Sequence, residues 1–272
     1  MKKSTILAIF FLFSLSFAKE EKIYLLEGKK LVSAGKYKEA IDLYQKALEN
    51  NSQDWQIWFS LGEVYNEIDL IEEAKNCFQK VIILKKDNPQ VYLYLGELFF
   101  REGIYSQAIK NYERSMNLNP EEVKNYLRLA ICYKQMGENK KAISYLQKAI
   151  SIVPEKEHYY QLGRLYFRSK LYDEALEAYK QVLKFDPKYF SVYLERAILY
   201  FKRGEFAQAM EETKQALKIN PESSLAYFLQ GLIFYQKGDK ESALISAKKA
   251  EEKSASKFMN DYINKLIDKL QK

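Results

Sequence analysis

The sequence predicts an all-α chain: an α-solenoid of seven tandem helix–turn–helix units followed by one capping helix. Three observations carry this. An alanine recurs at position 20 of a 34-residue unit, as Ala40, Ala74, Ala108, Ala142, Ala175, Ala209 and Ala243, the fourth unit being one residue short. All ten glycines fall at two positions of that unit, and the five prolines lie at or beside its boundaries. A unit of this size cannot bury its apolar face alone, so its neighbours complete the core. The composition, 47% hydrophobic and 29% charged, fits a folded chain and excludes a disordered one.

The chain opens on what reads as a secretory signal peptide, residues 1–18. Lys2 and Lys3 precede an apolar run over 6–17, and the small residues Ser16 and Ala18 sit where a signal peptidase reads. The run is shorter than the ~17–25 residues of a spanning helix. The expectation is an exported protein, periplasmic or secreted, beginning at Lys19; an uncleaved membrane anchor is the alternative. Without Lys2 and Lys3, 41 basic residues face 36 acidic ones, a small excess that fits solvated Lys-rich helices better than a nucleic-acid surface.

The units fill 19–256, starting at 21, 55, 89, 123, 156, 190 and 224. Position 4 is aromatic in all seven: Tyr24, Trp58, Tyr92, Tyr126, Tyr159, Tyr193 and Tyr227. Position 11 is aromatic in six, Leu31 being the exception. Glycine at position 15 suits a chain reversal, where φ > 0 is often required. Glycine or alanine at position 8, with alanine at position 20, lets two helices approach closely, and the rings at positions 4 and 11 are expected to fill the space around that contact. Proline at position 32 ends the second helix. The expected helices run over about positions 2–14 and 16–30.

This pattern resembles the tetratricopeptide repeat family. WFSLGEVY (58–65), YLYLGELF (92–99) and YYQLGRLY (159–166) carry the first half of its motif; AIKNYERSMNLNP (108–120) and ALEAYKQVLKFDP (175–187) carry the second. The resemblance covers about 21–257 and implies a right-handed superhelix. Departures gather at the ends: Glu27 replaces the usual Leu, and Ala247 a large residue. In 257–272, Phe258, Met259, Tyr262, Ile263, Leu266, Ile267 and Leu270 form one helical stripe, expected to pack on the seventh unit.

No constellation for catalysis, metal or cofactor stands out, so the expectation is a protein that is not an enzyme and has no cofactor. His158 is the one histidine, and the glycines are absorbed by the repeat. Cys77 and Cys132 lie two helices apart, beyond the ~7 Å reach of a disulfide, and read as buried free thiols.

At ~100° per residue, positions 2, 5, 6, 9, 12 and 13 of the first helix lie opposite its packing side. The resemblance implies that this face lines a concave groove for extended peptides or partner helices. It is acidic at the second unit (Phe59, Glu63, Asn66, Glu67) and basic with aromatics over the third to sixth units. The candidate binding residues are Phe59, Tyr94, Phe100, Arg101, Arg128, Tyr160, Arg164, Phe167, Arg168 and Phe201. Aromatic and Arg side chains are the types enriched in binding hot spots. Apolar residues on this face also meet the next first helix; the arginines are expected to be exposed. The expected function is that of a scaffold or adaptor binding a protein or peptide partner that is apolar with acidic groups, and not nucleic acid. The alternative is a membrane-attached subunit of an envelope assembly or export complex, held by the amino terminus or the Lys-rich last helix.

Overall fold

The structure, a computed structural model, describes residues 22–271. The predicted signal peptide lies outside the described residues. Helices are the only regular element among those described. Contacts divide the chain into two compact units, Met1–Glu138 and Asn139–Lys272.

The first compact unit holds α1 (residues 22–33), α2 (Tyr37–Asn50), α3 (Trp55–Glu67), α4 (Ile71–Leu84), α5 (Pro89–Arg101), α6 (Tyr105–Leu118) and α7 (Val123–Gln135). The second holds α8 (Asn139–Ile152), α9 (Lys156–Arg168), α10 (Tyr172–Phe185), α11 (Phe190–Lys202), α12 (Phe206–Ile219), α13 (Ser224–Gln236), α14 (Lys240–Glu252) and α15 (Lys257–Gln271). From the second repeat on, each first helix starts at position 1 and ends at position 13, and each second helix starts at position 17.

The starts and turns follow local chemistry. Position 34 caps the next first helix: an Asp54 oxygen accepts from the N–H groups of Gln56 and Ile57, and Asn88 accepts from Gln90. At the turn, the position-16 N–H donates to the position-11 carbonyl five residues back, as from Ile104 to Phe99 and from Leu171 to Tyr166, both at 2.9 Å. This motif needs a left-handed residue at position 15. Five glycines supply it, and Asp69 (φ 65°) and Lys170 (φ 62°) adopt the same conformation without being glycine.

The rings are placed differently from the sequence-based expectation. The ring over the position-8 glycine belongs to position 24. A Cβ on Gly62 would stand 2.7 Å from Phe78, on Gly96 2.6 Å from Tyr112, and on Gly163 2.5 Å from Tyr179. These rings come from the second helix of the same hairpin and are fully buried. The position-4 aromatics serve another purpose. Trp58 Nε1 donates to the Ser52 carbonyl at 2.9 Å, Tyr92 to that of Lys86 at 3.0 Å and Tyr193 to that of Pro187 at 2.8 Å. Each step reaches position 32 of the preceding repeat, so an aromatic with a polar edge satisfies a carbonyl left open where that helix has ended.

The last two hairpins change this core. Position 24 shrinks to Thr213 and Ala247. At position 7, Arg196 replaces leucine and pairs with Glu212 at 2.7 Å, with little of either side chain exposed. Beside Gly231 and Ala247, the missing ring is replaced by Leu266 of α15, 3.4 Å from where a Gly231 Cβ would stand. Helix α15 thus seats Ile263, Leu266 and Leu270 in the core. Phe258 and Tyr262 do not join them. They are 71% and 48% exposed and stack edge-on at 5.0 Å. The stripe read from the sequence was too wide: Phe258 lies about 80° around the helix from Leu266.

Candidate functional site: the face of the first helices

In the first compact unit, this face is formed by α1, α3, α5 and α7. Position 9 of one first helix meets position 6 of the next. Glu63 accepts from the Tyr94 hydroxyl at 2.8 Å, and Glu97 accepts from Arg128 Nε at 2.8 Å, with Lys124 Nζ 3.4 Å away. Arg101 donates to Asn66 Oδ1 at 2.9 Å and also pairs with Asp69. In the second compact unit the step recurs with the charges exchanged, Arg164 Nε lying 3.6 Å from Glu195.

The ten candidate residues therefore divide. Phe59 and Tyr94 pack on the buried Phe78, with ring centroids 5.7 and 5.2 Å away, and are half-buried parts of the core. Phe100, Phe167 and Phe201 each lie against the position-17 ring of their own hairpin: Tyr105, Tyr172 and Phe206, at 5.6–5.9 Å. Arg128 is half-buried rather than exposed, because the carboxylate of Glu97 and the neighbouring helix enclose it. Arg101 is exposed but bound to Asp69. The exposed, lightly held cations are Arg164 and Arg168. Arg164 is 53% exposed and lies over the Tyr160 ring, and among the described residues Arg168 has no ion-pair partner. Lys202 stands 5.6 Å over the Phe167 ring. The position 9-to-6 step was missed in the sequence because it depends on the stagger between neighbouring helices; the complementary pairs Glu97/Arg128 and Arg164/Glu195 were its visible signal.

Burial raises the carboxyls of Glu63 and Glu195 above the usual carboxylate range; the Tyr94 hydroxyl and Arg164, respectively, partly offset this. Both cysteines are buried and free, and burial pushes the Cys77 thiol up to about 12 and that of Cys132 to about 11. Such thiols are inert near neutral pH. His158 is buried, with Nδ1 3.0 Å from the Val153 carbonyl. Among the described residues no group of His, Cys, Asp and Glu could hold a metal ion, and no helix is long and apolar enough to cross a membrane.

Tetratricopeptide repeat models match residues 28–68, 56–88, 163–204 and 194–257. The chain belongs to the tetratricopeptide repeat family. A model described as regulator of microtubule dynamics protein 1-3 also matches residues 96–164. No curated protein is matched. Among solved structures, MamA is 30% identical, over 58% of this chain and 92% of that one, with a TM-score of 0.55. The C-terminal part of a repeat protein from Cytophaga hutchinsonii is 19% identical, over 87% and 98%, with a TM-score of 0.77. YrrB, described as having an unusual peptide-binding site, is 22% identical, over 67% and 95%, with a TM-score of 0.59. The last two likenesses concern the fold.

Proposed function

We propose that this protein is an exported, non-catalytic scaffold that binds a protein or extended peptide on the face of its first helices. The observation that carries this is the surface of α9 and α11. Arg164 and Arg168 are exposed there beside the half-buried rings of Tyr160 and Phe167. Arg168, without a carboxylate partner among the described residues, and Arg164, only 3.6 Å from Glu195 and largely exposed, leave charge beside partly covered rings that a partner's acidic and apolar groups complete. The partner is accordingly apolar with acidic groups. The location in the envelope or outside the cell rests on the charged, apolar and small-residue segments of 1–18.

Two measurements test this reading. Affinity capture from envelope extract compares the wild type with Arg164→Glu/Arg168→Glu; the reading expects specific partners to be lost from the variant, and unchanged partners would count against it. The mass of the mature protein is expected to correspond to a chain starting at Lys19, and a chain retaining residues 1–18 would overturn cleavage.

A further inference from the structure

A cavity of about 350 Å³ lies on the same face in the first compact unit, between α1, α3 and α5. Its polar lining includes Lys29, Ser60, Glu63, Asn66, Glu67 and Tyr94. That volume is near the lower end for ligand sites and is ample for one long side chain.

Glu63 is the group that defines it. Its carboxylate is half-buried and, among the described residues, accepts one hydrogen bond, from Tyr94, where an ionised carboxylate has room for about four. The basic residues around it are engaged elsewhere. Arg101 is held by Asn66 and Asp69, while Arg128 and Lys124 are held by Glu97. Lys29 lines the cavity but is exposed, and among the described residues it forms no ion pair with Glu63 or Glu67. Glu67 adds a second, exposed carboxylate. Two carboxylates thus face one solvated lysine across a cavity, and the more buried carboxylate has one hydrogen-bond donor among the described residues. Partial burial disfavours the ionised Glu63 carboxylate, and a cation that enters the cavity offsets that cost.

We propose that this cavity receives a single cationic side chain, an arginine or lysine of the partner, paired to Glu63 and Glu67. The inference rests on the reading of the first-helix face as a binding surface and deepens it: a partner that docks on the first helices of the first compact unit presents a basic residue to this cavity. Only the cationic group is specified; the sequence around it is open.

The test uses the mature protein with 13C-labelled methyl groups. Val32 and Val64 line the cavity and report on it directly. n-Butylguanidinium is titrated against n-butylurea, a neutral molecule of nearly the same shape. The expected result is saturable shifts of the Val32 and Val64 methyls with n-butylguanidinium, and at least about tenfold weaker binding of n-butylurea. Glu63→Gln weakens the cation at least about tenfold as well, while its thermal unfolding shows that it remains folded. Lys29→Ala strengthens the cation by removing the competing charge. Equal binding of the two probes, binding unaffected by Glu63→Gln, or no shift at about 50 mM, where a fragment of eight heavy atoms should register, would overturn the proposal. These outcomes are independent of whether the Arg164/Arg168 variant loses its partners, so failure here leaves the broader reading standing.

Discussion

Arg128 donates from Nε to Glu97 across the step from α5 to α7, at 2.8 Å, and Arg164 and Glu195 make the same step between α9 and α11 with the charges exchanged. One packing relationship therefore accepts either polarity, provided the two positions are complementary. The pair fixes neighbouring first helices at the level of the exposed face. Arg128→Glu places two carboxylates there and is expected to destabilise the first compact unit by about 1–2 kcal/mol. Glu97→Arg/Arg128→Glu, which copies the polarity of the Arg164–Glu195 step, restores most of that loss. A double-mutant cycle in urea checks this; additive losses would mean that the two residues are not coupled.

Gly163 and Tyr179 give a second prediction. A methyl group at Gly163 would stand 2.5 Å from the ring of a fully buried tyrosine. Gly163→Ala is expected to cost about 1–3 kcal/mol through overpacking. The sequence itself carries the compensation: where position 8 is Ala130, position 24 is Leu146. Gly163→Ala/Tyr179→Leu is therefore expected to be more stable than Gly163→Ala alone. A double variant weaker than both single variants would refute the pairing.

Lys170 holds φ at 62°, where five other turns use glycine. Lys170→Gly is expected to stabilise its hairpin by about 1 kcal/mol, read from the urea midpoint. Asp69→Gly should gain less, because Asp tolerates this conformation and also binds Arg101.

The buried carboxylates give the pH dependence its sign. Burial raises Glu63, Glu195 and Glu212 above 4.5, so the folded chain holds these protons more tightly than the unfolded chain does. Their contribution is full below pH 4.5 and is lost as pH rises through the raised values. Exposed groups with lowered values, such as Asp186 and Asp239, act in the opposite direction, so a difference measurement is needed. Glu63→Gln removes one raised group. Relative to wild type, the variant is expected to gain stability from pH 4 to pH 7, as followed by urea midpoints; a variant that loses stability relative to wild type over that range would contradict the assignment.

The repeat period, the glycine turns and the seating of Ile263, Leu266 and Leu270 were legible in the sequence because each reflects local geometry. Lys170 was not legible as a left-handed residue, since nothing about lysine signals that conformation. The ring over Gly163 was assigned to positions 4 and 11 because those rings are near in sequence. The true neighbour, Tyr179, comes from the facing helix, and its place depends on how the hairpin closes. The same limit applied to the face of the first helices. Helix periodicity identified Arg128 and Arg164 as first-helix face residues, but only the stagger between helices shows that Glu97 neutralises Arg128 while Arg168 has no ion-pair partner among the described residues.

The central claim is that partners bind the first helices and not the outer surface of the second helices. A photoreactive phenylalanine analogue placed singly at Arg168, Glu177 and Lys214 tests it, since all three side chains are exposed and the last two lie on α10 and α12. The account predicts that partner adducts form from position 168, disappear when Arg164 becomes glutamate, and do not form from positions 177 and 214. Adducts confined to positions 177 or 214, with Arg164→Glu having no effect, would contradict it.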